Sequence, residues 1–84
     1  MAKFKPYMDV AVGINEIGSS PYGTVNILPH NGAAGTVGVL IGETFIPLVS
    51  GPTGDGENLT VVVGHGRRIA FNATASGKIS TAEV

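Results

Sequence analysis

The sequence predicts an all-β fold, a small antiparallel β-barrel or sandwich of about five to seven short strands with an extended N-terminal arm. Three observations carry this. The 84 residues include 13 Gly and 5 Pro spread along the whole chain, which leaves no uninterrupted window for a stable amphipathic helix. Short runs rich in β-branched residues recur between clusters of Gly, Pro, Asn and Asp. The first run alternates apolar with small or polar residues at the period of a strand. A chain of this length forms one domain, since cores divide only in much longer chains; residues 1–7 read as the arm and 8–84 as a single β domain.

Taken in order, Met8, Val10, Val12 and Ile14 alternate with Asp9, Ala11, Gly13 and Asn15, and are expected on one inward face of a single strand. Ile17 to Gly23 reads as a loop. Thr24 to Leu28 reads as a strand with Val25 and Ile27 inward, ended by Pro29. Asn31-Gly32 is a turn dipeptide, because both residues tolerate positive φ. Gly35 closes the connection into an apolar strand over 36–41. Gly42-Glu43 reads as a tight turn into a strand over 44–49, where Pro47 cannot donate to a ladder and marks an edge or a bulge. Residues 50–57 form the most loop-like stretch, expected to be exposed and mobile. A hairpin is expected from Asn58–Val63 and Arg67–Ala73 around Gly64-His65-Gly66, with Leu59, Val61 and Val63 facing Ile69 and Phe71. A short last strand over 78–82 follows.

Composition excludes several classes of function. Charged residues make up 13% of the chain, about half the usual share, and Glu43 is the only one between Glu16 and Asp55. Five basic against six acidic residues leave no footprint for a polyanion. Cys is absent and two His cannot complete a four-ligand zinc site without carboxylates, so no metal or other cofactor is expected. Residues 33–41, the most apolar segment, are broken by Gly35, Thr36 and Gly38 and fall short of the ~18–20 residues of a membrane-spanning helix. The N-terminal stretch lacks a signal-like apolar run. With so small a core and no disulfide, self-association is the remaining source of added stability.

No motif carries catalysis. Residues 51–56 resemble a phosphate loop only in Gly content, since a strand rather than a helix N-terminus follows. Gly77-Lys78 lacks the Ser or Thr of a nucleotide-binding loop, Ile79 standing there instead. His30 and His65 occupy turn contexts and read as solvent-facing rather than as catalytic bases. Arg67 and Arg68 flank a turn and are expected to pair with Asp55 or Glu57, or to meet an acidic partner. Asn58-Leu59-Thr60 and Asn72-Ala73-Thr74 fit the glycosylation pattern and are read as chance matches. Nucleic-acid binding would need basic residues among clustered aromatics, and only Phe45 and Phe71 suit a sheet face.

The run Gly35-Thr36-Val37-Gly38-Val39-Leu40-Ile41-Gly42 and the strand–turn–strand from Asn58 to Ala73 resemble, in composition and style, the small head-decoration or cement proteins of tailed bacteriophages. The resemblance implies a non-enzymatic structural protein that oligomerises, often as a trimer, on a viral capsid surface and clamps the major capsid protein. Its localisation would be the virion, and otherwise the cytoplasm. The expected partner contacts are Phe4 and Tyr7 on the arm, Thr24, Asn26, Leu40 and Phe45 on outward strand positions, and Arg67 and Arg68 at the rim. The second reading is a small β-barrel that recognises a peptide or a nucleic acid.

Overall fold

The computed structural model describes residues 6–19 and 22–83. They form eight strands: β1 (Tyr7–Val10), β2 (Gly13–Ser19), β3 (Thr24–His30), β4 (Ala34–Ile41), β5 (Thr44–Pro47), β6 (Leu59–Val62), β7 (Arg68–Ala75) and β8 (Gly77–Glu83). There are two four-stranded antiparallel sheets, in the order β1-β8-β3-β6 and β2-β7-β4-β5, and they do not close into a barrel. Only β4 and β5 are joined within one sheet. Every other connection carries the chain across to the opposite sheet.

This crossing has a simple origin. β1 and β2, β3 and β4, and β7 and β8 are each two halves of one long ribbon, separated by between one and three residues. The β7–β8 ribbon pairs with the β1–β2 ribbon on one side and the β3–β4 ribbon on the other, in both sheets. The fold is thus a three-ribbon sheet bent across its middle, with β6 added to one half and β5 to the other. Strands that turn a corner between two sheets do so at bends and small residues. At the β8 corner an added Cβ on Gly77 would lie 2.5 Å from the Ala33 nitrogen and 2.7 Å from the Asn31 carbonyl oxygen. Only a residue without Cβ lets the two ribbons pass there.

The inner faces of both sheets contribute to one core. Val10, Ile17, Val25, Ile27, Val37, Val61, Ile69, Phe71 and Ile79 are buried together. Alternation fixes these positions on β3, where Val25, Ile27 and Pro29 are buried and Thr24, Asn26, Leu28 and His30 only half-buried.

Several sequence expectations change. The Met8–Asn15 run is two strands rather than one, which brings the strand count to eight. Ala11 and Val12 form the bend and Gly13 takes φ of +115°, so Val12 and Ile14 are 70% and 49% exposed instead of facing the core. The Asn15 side chain secures the bend, accepting from the Ala11 N–H at 3.1 Å and donating to the Ala11 carbonyl at 2.8 Å. Ile17 to Ser19 are strand and buried, with a bulge between Glu16 and Gly18.

Pro29 lies within β3 rather than ending it. Its missing N–H falls on the side of β6 beyond the point where β6 ends, and its carbonyl accepts the Gly56 N–H at 2.9 Å. Gly35 lies inside β4 and not in a connection. The 50–57 loop is pinned: Gly35 and Thr53 exchange two backbone hydrogen bonds, and Asp55 accepts the Gly32 N–H. β6 and β7 are not a hairpin. They lie in opposite sheets, and their apolar residues meet across the core. Of the expected arm, residues 1–5, Phe4 among them, lie outside the described residues, and Tyr7 opens β1.

The corner at Gly77 makes a testable distinction among glycines. Gly77→Ala is expected to destabilise the fold by about 1–3 kcal/mol, the usual cost of overpacking against atoms that cannot yield. Gly51→Ala, where an added Cβ meets nothing within 4 Å, is expected to change stability by less than about 0.5 kcal/mol. Urea unfolding midpoints of the two variants measure the difference.

Candidate functional site

Residues that point away from the core define two outer faces, one on each sheet. On the β2-β7-β4-β5 sheet, Leu40 lies opposite Phe45 on one side and Arg68 on the other, so these three expected contacts form one row. Gly38, one pair along, is opposite Ala70 and Pro47. A Cβ on Gly38 would meet the tip of the Phe45 ring at 2.7 Å, so the ring reaches into space that a side chain at 38 would fill. Ala70 is fully buried on this same outer side. Thr36 and Asn72 also lie on this face, so among the described residues it is a mixture of apolar and neutral polar groups, with one internally balanced ion pair.

The cation of that pair is Arg68. Its Nε and Nη2 donate to the two Glu16 oxygens at 2.9 and 2.8 Å, and its Nη1 donates to the Gly42 carbonyl at 3.0 Å. The hydrogen bonds to Glu16, and then its charge, raise the Arg68 pKa further. Arg68 is thus committed to Glu16, and not to Asp55 or Glu57 as the sequence suggested. It ties β2, β7 and the β4–β5 turn together. Glu16 was missed because it precedes Arg68 by 52 residues, and only the register of β2 on β7 brings them together.

The outer face of the β1-β8-β3-β6 sheet is more polar. Tyr7, Thr24 and Asn26 all lie on it, and the Asn26 amide donates to Thr60 Oγ1 at 3.0 Å. Here His30 is a half-buried strand residue, with Nε2 3.0 Å from Ser80 Oγ, and not a solvated turn residue. The Tyr7 ring packs on the His30 ring at 5.7 Å between centroids, and the Lys78 ammonium sits 5.4 Å from the Tyr7 ring centroid. Lys78 also pairs with Asp9 at 2.7 Å. Hydrogen bonds from Lys78 to Asp9 and Tyr7, and then their charges, raise its pKa. Since Asp9 faces Lys78, the His30–Ser80 contact works here as one link in a chain of cross-strand pairs binding β1, β8 and β3.

The expected contacts therefore separate. Leu40, Phe45 and Arg68 share one face, Tyr7, Thr24 and Asn26 the opposite one, and Arg67 stands on the exposed β6–β7 turn. Phe45 and Phe71, the aromatics a base-stacking surface would use, are on opposite sides of their sheet, with Phe71 fully buried in the core. A cleft of about 540 Å³ opens between the ends of β5 and β6, lined by Val49, Pro52, Thr53, Glu57 and Leu59. Among the described residues no group of three His, Asp or Glu is placed to hold a metal ion.

The Lys78 cluster carries a pH prediction. A pKa raised on folding means that the stability Lys78 contributes is fully present below its unfolded value, about 10.4. That stability is lost as pH rises through the higher folded value. The difference in urea midpoint between the wild type and Lys78→Gln is expected to be constant up to pH about 10 and to shrink above it. No family model matches this chain, and neither does a curated protein or a solved structure.

Proposed function

We propose that this chain is a non-enzymatic structural protein that associates with itself and binds a protein lattice, in the manner of a viral capsid decoration protein. On this reading the two sheets act as a small β-sandwich. The observation that carries the proposal is the outer face of the β2-β7-β4-β5 sheet. Leu40, Phe45 and Pro47 are displayed around the Gly38–Ala70 pair with Ile14 on the same face, and the one ion pair there among the described residues is satisfied within the chain. A free charge buried by a partner would have to be desolvated, whereas a face of this kind can be covered by protein with little electrostatic cost. The same neutrality disfavours a nucleic-acid partner, whose binding rests on unpaired basic groups.

Binding would take place without chemistry, by burial of apolar and hydroxyl-bearing surface, with the capsid subunits as the partner. Co-pelleting of the full chain with empty capsid shells of the virus that encodes it is the test. The wild type is expected to pellet with the shells, and Leu40→Lys, which sets a second cation beside Arg68, to lose at least about tenfold in affinity, as one charge buried without an acidic partner would cause. Wild-type chain that stays in the supernatant, or a source that encodes no such shell, overturns the capsid reading.

A further inference from the structure

The four sheet edges are not equivalent. Antiparallel ladders alternate between pairs that exchange hydrogen bonds and pairs that do not, so one known bond fixes which backbone groups of an edge strand point outward. On β5 the Leu48 N–H donates to Val37, which places Phe45 and Pro47 outward, and Pro47 has no N–H to offer. The β2 edge is interrupted by its bulge next to Glu16. On β1 the exposed Asp9, paired with Lys78, stands on the edge strand. These are the devices that keep edges from pairing with other chains.

β6 has none of them. The Val63 N–H donates to the Gly23 carbonyl at 2.7 Å, so Val61 and Leu59 bond inward to β3, and the N–H and C=O groups of Thr60 and Val62 point outward. The strand reads Leu-Thr-Val-Val, with no charge, proline or bulge, and Val62 is 77% exposed. We infer that β6 is a self-association edge, and that its occupant is β6 of a second copy, paired antiparallel about a two-fold axis through Val61.

Three features favour a second copy. In the register centred on Val61, Thr60 of each chain lies opposite Val62 of the other, so both outward donors and both outward acceptors of each strand find partners. The outer side chains then meet as β-branched Thr–Val pairs, which suit adjacent strands. The flanks are also complementary. Asp55 and Glu57 precede β6, and Arg67, which makes no ion pair among the described residues, follows it. Antiparallel pairing lays the acidic flank of one copy beside the basic flank of the other, whereas a parallel arrangement would set like charges together. The inference deepens the self-association part of the proposed function and replaces the trimer implied by resemblance with a two-fold pair. The outer face of the other sheet remains free for a lattice.

Sedimentation equilibrium of the full chain from about 10 µM to about 1 mM, the range a small interface calls for, tests this. The expected result is a monomer–dimer equilibrium, with amide exchange at Thr60 and Val62 slowing as concentration rises. Val62→Lys and Val62→Pro change only an outward side chain and an outward N–H, and each is expected to leave the monomer fold intact by circular dichroism and to weaken dimerisation at least about tenfold. Arg67→Glu is expected to weaken it several-fold at low salt and to reverse its salt dependence, because salt then screens a repulsion between the flanks. A wild type that stays monomeric at all concentrations overturns self-association altogether. An oligomer that is trimeric, or that is unchanged in folded Val62→Pro and Val62→Lys, overturns the β6 pairing and leaves the lattice reading standing.

Discussion

Where β7 runs into β8, Gly77 passes so close to Asn31 and Ala33 that no side chain fits between them, and this contact sets the geometry of everything else. It joins the corners of two ribbons. Once the β7–β8 ribbon turns here with the β3–β4 ribbon beside it, their halves must lie in opposite sheets, and the β1–β2 ribbon on the other flank must bend at the same level. The core follows, because bending one sheet brings its own inner face together on both sides of Phe71 and Ile79. An 84-residue chain without disulfides thereby closes a core with three corners.

Much of this was legible in the sequence, and what was not has a common cause. Alternation marks Val25 and Ile27 as inward because a side chain's face depends only on its own strand. Asn31-Gly32 and Gly42-Glu43 were readable as turns because their conformations are local, and φ is positive at Asn31, Gly32 and Gly42. The sheet to which each strand belongs is a property of pairs far apart in the chain. Gly64-His65-Gly66 is a turn, as its glycines announce, yet turn chemistry does not reveal whether the strands around it pair with each other or pass to opposite sheets. The bend at Ala11 and Val12 was hidden for a related reason. Apolar residues continue at period two straight through it, while the positive φ at Gly13 and the hook formed by the Asn15 side chain divide the run into two strands.

The candidate contact residues divide on the same principle. Leu40, Phe45 and Arg68 were recognisable as outward, and the pairing of β4 with both β5 and β7 places them in one row. The role of Arg68 was not recognisable, because its partner Glu16 lies at the other end of the chain. The Lys78–Asp9 pair was invisible on the same ground. Both pairs are solvent-exposed and so add little to stability. What they do is neutralise: each converts two charges on an outer face into a closed unit that makes few demands on whatever lies above it.

The placement of those pairs explains the stretch between Glu16 and Asp55 that carries Glu43 alone. Both pairs join the first ribbon to the last, Asp9 to Lys78 in one sheet and Glu16 to Arg68 in the other, and so sit on the β1 and β2 side of the molecule. The opposite side consists of β3 and β6 in one sheet and β4 and β5 in the other, strands without a charged residue, with Glu43 set apart on a turn. A core needs only every second position on a strand to be apolar. Thr24, Asn26, Leu40, Phe45 and Val62 are outward positions that the core does not constrain, and all five are uncharged. Neutrality on both faces and along the edge strand of one half of a molecule therefore calls for a cause outside the core, and the proposed contact with protein on that half would supply one.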